Sequence, residues 1–263
     1  MTSDQGEGAA RALHHQAGQE TPGRRGETAL QRPPDALATT ATRSTSNGGS
    51  ELDVRRRLER IAAAAAVTGG PLFLLGTVLH AKRDGWSIAA AGQAYGITHG
   101  LQAVALLLLT VSLASAYAAN AGRFGRRGLP AFLLAVVGTM LWFGLIVFDG
   151  SRNPVTAKYA PEIVHTPADI DVVTGIVVLP ALLVFPVGYM LLARVLSRTG
   201  MTWPGLLIGV GAMVYWAAFI PLFAFGPESP VVQTLEVIGA VPYAVGFVLI
   251  GVRRAPKGAP SSR

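Results

Sequence analysis

No cysteine occurs in the 263 residues. Its absence excludes disulfides, thiolate catalysis, iron–sulfur ligation and cysteine-based zinc sites, so any metal must be held by His, Asp, Glu or carbonyl oxygens. Charge is scarce too. Asp, Glu, Lys and Arg make up 14% of the chain against 51% hydrophobic residues, too apolar a balance for an ordinary soluble domain. There is no phosphate-cradling P-loop, no His-Glu-x-x-His zinc motif, no nucleophile elbow around a serine and no dinucleotide fingerprint, which argues against an ATP-driven pump. No apolar stretch of signal-peptide type follows Met1, so the first hydrophobic run is expected to serve as an uncleaved insertion signal.

What the chain does contain is six long apolar runs, each about the length a helix needs to cross a bilayer. The expected fold is therefore all-α, a polytopic membrane bundle of six transmembrane helices. The runs cover about Leu58 to His80, Tyr95 to Ala119, Pro130 to Asp149, Val172 to Leu196, Trp203 to Phe225 and Val231 to Val252. Pro180 and Pro186 predict a kink in the fourth. The glycine pairs Gly69/Gly70 and Gly209/Gly211 are expected to let neighbouring helices approach closely. Three spans plus three would permit an inverted repeat, but the two halves share no aligned pattern.

Residues 1–50 carry Gly, Ser, Thr, Pro, Gln and Arg without a sustained apolar period and are expected to form a disordered tail, followed by a membrane domain over 51–254 and a short tail over 255–263. The net charge of +7 does not point to nucleic acid, because the basic residues sit in clusters between alternate spans. Arg55, Arg56, Arg57 and Arg60 precede the first span, Arg123, Arg126 and Arg127 join the second to the third, Arg194 and Arg198 follow the fourth, and Arg253, Arg254 and Lys257 follow the sixth. All fall on one side if both termini are cytoplasmic, which is the orientation expected for a multi-pass cell-membrane protein. The opposite side has only Lys82, Arg83, Arg152 and Lys158. Trp86 and Trp203 suit interfacial anchoring, while Trp142 and Trp216 are expected to pack between helices.

With that orientation the remaining polar residues gather at the outer end. Tyr95, His99 and Gln102 recur at i, i+4 and i+7 and share one helical face. Glu236 lies more than a turn inside its span, where an unpaired charge facing lipid would cost several kcal/mol, so it is expected to be neutral, paired or beside a hydrated cavity. His99, Asp149 and Glu236 are the candidate catalytic residues, joined across three helices in a pocket beneath the outer surface. Tyr95, Gln102, Trp142 and Tyr243 are the candidate substrate-binding residues. The stretch from Gly150 to Ile170 is expected to be a long covering loop, with Asp169 and Asp171 capping the fourth span. The competing reading gives the same polar groups a packing role, with His99 and Glu236 bonding each other or nearby backbone.

His80, His99 and His165 could instead converge on a metal with Asp149 or Asp171, or His80 and His99 on a haem. No pair has a recognised ligand spacing within one helix, so no metal or cofactor is assigned. His14 and His15 are read as solvated tail residues. The segments His99 to Leu109, Leu141 to Asp149 and Leu182 to Leu192 followed by Arg194 resemble small Ala- and Leu-rich six-helix membrane proteins of high-GC bacteria. That resemblance implies the fold and brings no activity with it. Membrane-bound terpene cyclases are similar only in size and in using buried carboxylates as acids. Function is therefore expected to be acid/base catalysis on a lipid or isoprenoid, with the bilayer as environment and an apolar small molecule as substrate. The alternatives are a noncatalytic subunit with a membrane-protein partner and a proton-coupled carrier.

Overall fold

The computed structural model describes residues 35–165 and 172–254, with side chains described from Gly49 onward except at 172–174, 177 and 254. The expected capping residues Asp169 and Asp171, the tail residues 1–34 and the end 255–263 lie outside the described residues. The chain divides into two units, residues 1–46 and 47–263, and of the first only the helical backbone from Asp35 is described. The described residues are almost wholly helical and include no strand.

Six helices are long and apolar enough to cross a membrane, as the six apolar runs require, and the chain is a multi-pass membrane protein. They are α1 (Asp35–Val78), α3 (Gln93–Phe124), α4 (Gly128–Tyr159), α5 (Val172–Arg198), the pair α6 (Thr202–Ala217) and α7 (Phe219–Phe225) acting as one span, and α8 (Pro230–Arg254). Helix α2 (Gly85–Ala91) is too short to cross and caps one end. The break between α6 and α7 falls four residues before Pro221, whose missing N–H cannot bond the carbonyl of Ala217. Large apolar side chains such as Ile97, Val104, Leu133, Leu183, Val210 and Val245 are exposed on the outer faces, which suits contact with lipid tails rather than water.

The spans form a closed ring. Helix α3 packs on α4, α4 on α5, α5 on α6 and α6 on α8. Helix α1 closes the circle between α8 and α3: a Cβ on Gly70 would sit 2.7 Å from the carbonyl oxygen of Ala244, and one on Gly69 would sit 3.0 Å from Leu109. Ser112 on α3 donates to the carbonyl of Ala62 on α1 at 2.9 Å. The axis of the ring is filled by aromatic rings from five spans. Phe73 lies 5.2 Å from both Tyr215 and Tyr243, Trp142 lies 4.9 Å from Phe185, and Tyr189 lies 5.2 Å from Tyr243. Tyr243, expected to bind substrate, is therefore part of this plug and wholly buried.

The expectation of a covering loop from Gly150 is corrected by α4, which stays helical to Tyr159 through Pro154. The loss of one hydrogen bond at Pro154 is offset because Asn153 and Ala157 continue the face of Asp149 in steps of four and are buried. Ala157 packs with Ile88, Tyr95 and Val164. At 32 residues α4 is about 48 Å long, more than the ~30 Å of hydrocarbon. Asp149, 21 residues into it, stands about 32 Å from its start, a distance close to that hydrocarbon thickness.

Closeness at the α6–α8 crossing gives a direct test. A Cβ on Gly239 would lie 2.2 Å from the backbone nitrogen of Tyr215, whereas Gly144 on α4 has nothing within 4 Å. Gly239→Ala should lower stability by about 1–3 kcal/mol through overpacking, and Gly144→Ala should not lower it. Thermal unfolding in detergent checks both.

Candidate functional site

Among the described residues, eight of the eleven buried polar side chains collect at the end of the bundle where α1 ends and α3 begins, Ser112, Ser115 and Thr139 being the exceptions. They are brought there by α1, the α1–α2 connection, α3, the C-terminal end of α4, the short 3-10 turn Pro161–Ile163 and the first turns of α8. Asp84 caps α2 by accepting from the backbone N–H of Ser87 at 2.8 Å. Burial opposes its charge, yet the hydrogen bonds with Ser87 together outweigh it and hold the carboxyl below its usual range.

The centre is Arg83. Sequence reasoning counted it only as an outer-loop charge, but its side chain turns inward and is 8% exposed. Its Nε and Nη2 donate to Glu236 Oε1 at 2.8 and 2.5 Å, and its Nη1 donates to Asp149 Oδ2 at 2.9 Å. The guanidinium carbon also lies 5.5 Å from the centroid of the Phe219 ring. Burial works against the charge, but Glu236 and Asp149 outweigh it and hold the pKa well above the ordinary guanidinium value. Glu236 thus takes the paired option among those its burial required, and its partner is Arg83 rather than His99.

Asp149 is the hub. Oδ1 accepts from the hydroxyl of Tyr95 at 3.0 Å and from the amide of Asn153, and lies 3.2 Å from His165 Nε2. Oδ2 takes Arg83 and lies 3.1 Å from His99 Nε2. Two groups absent from the expected site, Arg83 and Asn153, therefore complete it. The i, i+4, i+7 face holds as expected: Tyr95, His99 and Gln102 are all buried, with Gln102 donating to Thr77 Oγ1 at 3.0 Å. Gly150 permits the close packing of α3 and α4 here, since a Cβ on it would lie 2.3 Å from His99 Cβ.

Three imidazoles share one orientation. Nδ1 of His80 contacts the carbonyl of Ala81, Nδ1 of His99 that of Tyr95 at 2.8 Å, and Nδ1 of His165 that of Arg83 at 2.7 Å. A carbonyl only accepts, so each Nδ1 carries the hydrogen and each Nε2 turns inward. His80 Nε2 and His99 Nε2 are 3.2 Å apart. Burial, with Arg83 and His99 adding to it, pushes the His80 pKa well below its usual value. Burial likewise disfavours charge on His165, but the Asp149 carboxylate prevails and raises its pKa. His165 also adopts a positive φ of 59°, which no other non-glycine among the described residues does. A backbone conformation of that kind costs of order 1 kcal/mol and persists where surrounding contacts impose it.

Beside the hub is a cavity of about 110 Å³. Its polar lining comes from Arg83, His99, Asp149, Arg152, Asn153 and His165, and its apolar lining from α4, α5, α6 and α7, including Trp142, Val178 and Phe219. Phe148 and Phe223, also in the lining, are 46% and 55% exposed on the outer, apolar surface of the bundle. Of the residues expected at the site, His99, Asp149 and Trp142 line this cavity. Tyr95 and Glu236 stand behind it in the hydrogen-bond network, Gln102 is bonded separately to Thr77, and Tyr243 stands in the aromatic plug.

The pairing of Arg83 fixes a stability prediction. Arg83→Met leaves the buried Glu236 and the half-buried Asp149 without their cation and should cost about 3–5 kcal/mol. The double variant Arg83→Met with Glu236→Gln should recover part of that loss. Thermal unfolding of the purified variants measures both.

No family model matches the chain, and no curated protein or solved structure matches it.

Proposed function

We propose that the chain is a membrane-embedded enzyme performing acid/base chemistry on a lipid or isoprenoid. The observation that carries this reading is the cavity, apolar where Phe148 and Phe223 reach the outer surface and charged where Asp149, His165 and Arg83 form its floor. A substrate with an apolar chain can enter from the bilayer and present a polar group to that floor without crossing water. His165 is the imidazole placed to move a proton, because it lines the cavity and its Nε2, 3.2 Å from Asp149 Oδ1, can donate to that carboxylate once the ring is protonated. Arg83 faces an oxyanion or anionic headgroup, and Glu236 is a positioning residue that fixes Arg83. The arginine clusters exposed at the opposite end, among them Arg126, Arg127, Arg194 and Arg198, support a cytoplasmic placement of that end and an extracytoplasmic placement of the site.

A noncatalytic role has one observation in its favour: the charges of the site satisfy one another, so the network can act as a staple between helices. The two readings separate on one experiment. Wild-type protein in nanodiscs is incubated with a total lipid extract of its own host, and lipids are followed by mass spectrometry. The enzyme reading predicts that one lipid or isoprenoid class is consumed, and that His165→Gln slows consumption at least about 100-fold, the usual share of a general acid or base. No consumed class, or equal consumption by His165→Gln, contradicts it.

A further inference from the structure

We infer that His80, His99 and Asp149 form a binding site for a first-row divalent metal ion. Their ligand atoms, the two imidazole Nε2 atoms and a carboxylate oxygen, all lie within 4.8 Å of one another. The His80–His99 separation is 3.2 Å and the His99–Asp149 separation 3.1 Å. A tetrahedral ion with bonds of about 2.0–2.1 Å spaces its ligand atoms by about 3.3 Å, so two of the three edges already have the required length.

The hydrogens make the case stronger than the distances. Both Nδ1 atoms are committed as donors to backbone carbonyls, His80 to Ala81 and His99 to Tyr95. In the neutral rings the two Nε2 lone pairs then face each other at 3.2 Å, an arrangement that repels unless a metal ion or a proton lies between them. Carbonyl acceptors behind ligating imidazoles are also how protein metal sites fix ring orientation and tautomer. Charge points the same way, since two carboxylates, Asp149 and Glu236, share the guanidinium of Arg83, the one buried guanidinium among the described residues. Gln233 secures the approach of His80 by donating to its carbonyl at 3.0 Å.

Two imidazoles and one carboxylate, with no thiolate, suit zinc or iron(II) and leave coordination positions open, as in catalytic rather than structural sites. His99 and Asp149 both line the cavity, so the ion would adjoin it. As a statement about reaction, this rests on the enzyme reading above, and the ion would supply a Lewis acid beside the substrate's polar group. As a statement about binding, it is read from metal content alone.

The test uses the untagged full-length chain in detergent, stripped with a chelator and then dialysed against Zn²⁺ or Co²⁺. Native mass spectrometry and elemental analysis should find one ion per chain. His80→Gln and His99→Gln should each weaken binding by at least about 100-fold, while replacing His14 and His15 by Ala should not change it. Hyperfine-shifted Nδ1–H resonances from two histidines in the Co²⁺ form of the wild type would confirm the ligand set without any variant. The inference is overturned if the wild type binds no ion, the contacts then being bridged by a proton. It is equally overturned if binding survives both glutamine variants or disappears with His14 and His15. An ion bound without lipid consumption would uphold this site and remove the enzyme reading; consumption without an ion would do the reverse.

Discussion

A guanidinium withdrawn from water between two carboxylates is the interaction on which this end of the molecule depends. Arg83 carries a charge whose desolvation costs several kcal/mol, and only simultaneous contact with Glu236 and Asp149 makes its burial tolerable. Meeting both partners pulls the connection after α1 inward, ties it to α4 and α8, and leaves the Arg83 carbonyl as acceptor for His165. Asp149 in turn gathers Tyr95, His99, Asn153 and His165. The polar floor of the cavity is thus one connected network, and its geometry follows from a single ion triplet.

The rest of the bundle makes that network affordable by being close-packed and apolar. Glycines at the crossings let α1, α6 and α8 approach to backbone contact, and the aromatic plug of Phe73, Trp142, Phe185, Tyr189, Tyr215 and Tyr243 fills the axis beneath the charged end. Water is thereby kept from the inner face of the site. The cavity lies to one side of the plug, bounded by α4, α5, α6 and α7, where exposed phenylalanines replace the polar cover expected of a water-facing pocket.

The six spans were legible because hydropathy is summed over about twenty residues and tolerates local error. The shared face of Tyr95, His99 and Gln102 followed from helical spacing, and Glu236 was conspicuous as a charge inside a span. Arg83 was not legible, because its partner Glu236 is 153 residues away and no local period records that pairing. The requirement that Glu236 find a cation, set against the few basic residues at that end, was the available signal. The helical continuation of α4 was masked by Pro154 and by polar residues that read as loop. Its actual signal was the i, i+4, i+8 series Asp149, Asn153, Ala157, which sequence reading broke at the wrong residue. The common orientation of three imidazoles depends on backbone carbonyls, which residue identity does not reveal.

If the charged floor of the cavity opens to the bilayer through its apolar mouth, Phe223 at that mouth faces lipid. Because the chain lacks cysteine, a single Phe223→Cys substitution can carry a nitroxide spin label without background. Collision rates with oxygen, which partitions into lipid, and with a water-soluble nickel chelate then report the environment of the mouth in nanodiscs. A mouth in lipid gives oxygen dominance at position 223 and nickel-chelate dominance at an exposed Lys158→Cys control. Dominance of the nickel chelate at position 223 would place the mouth in water and contradict it.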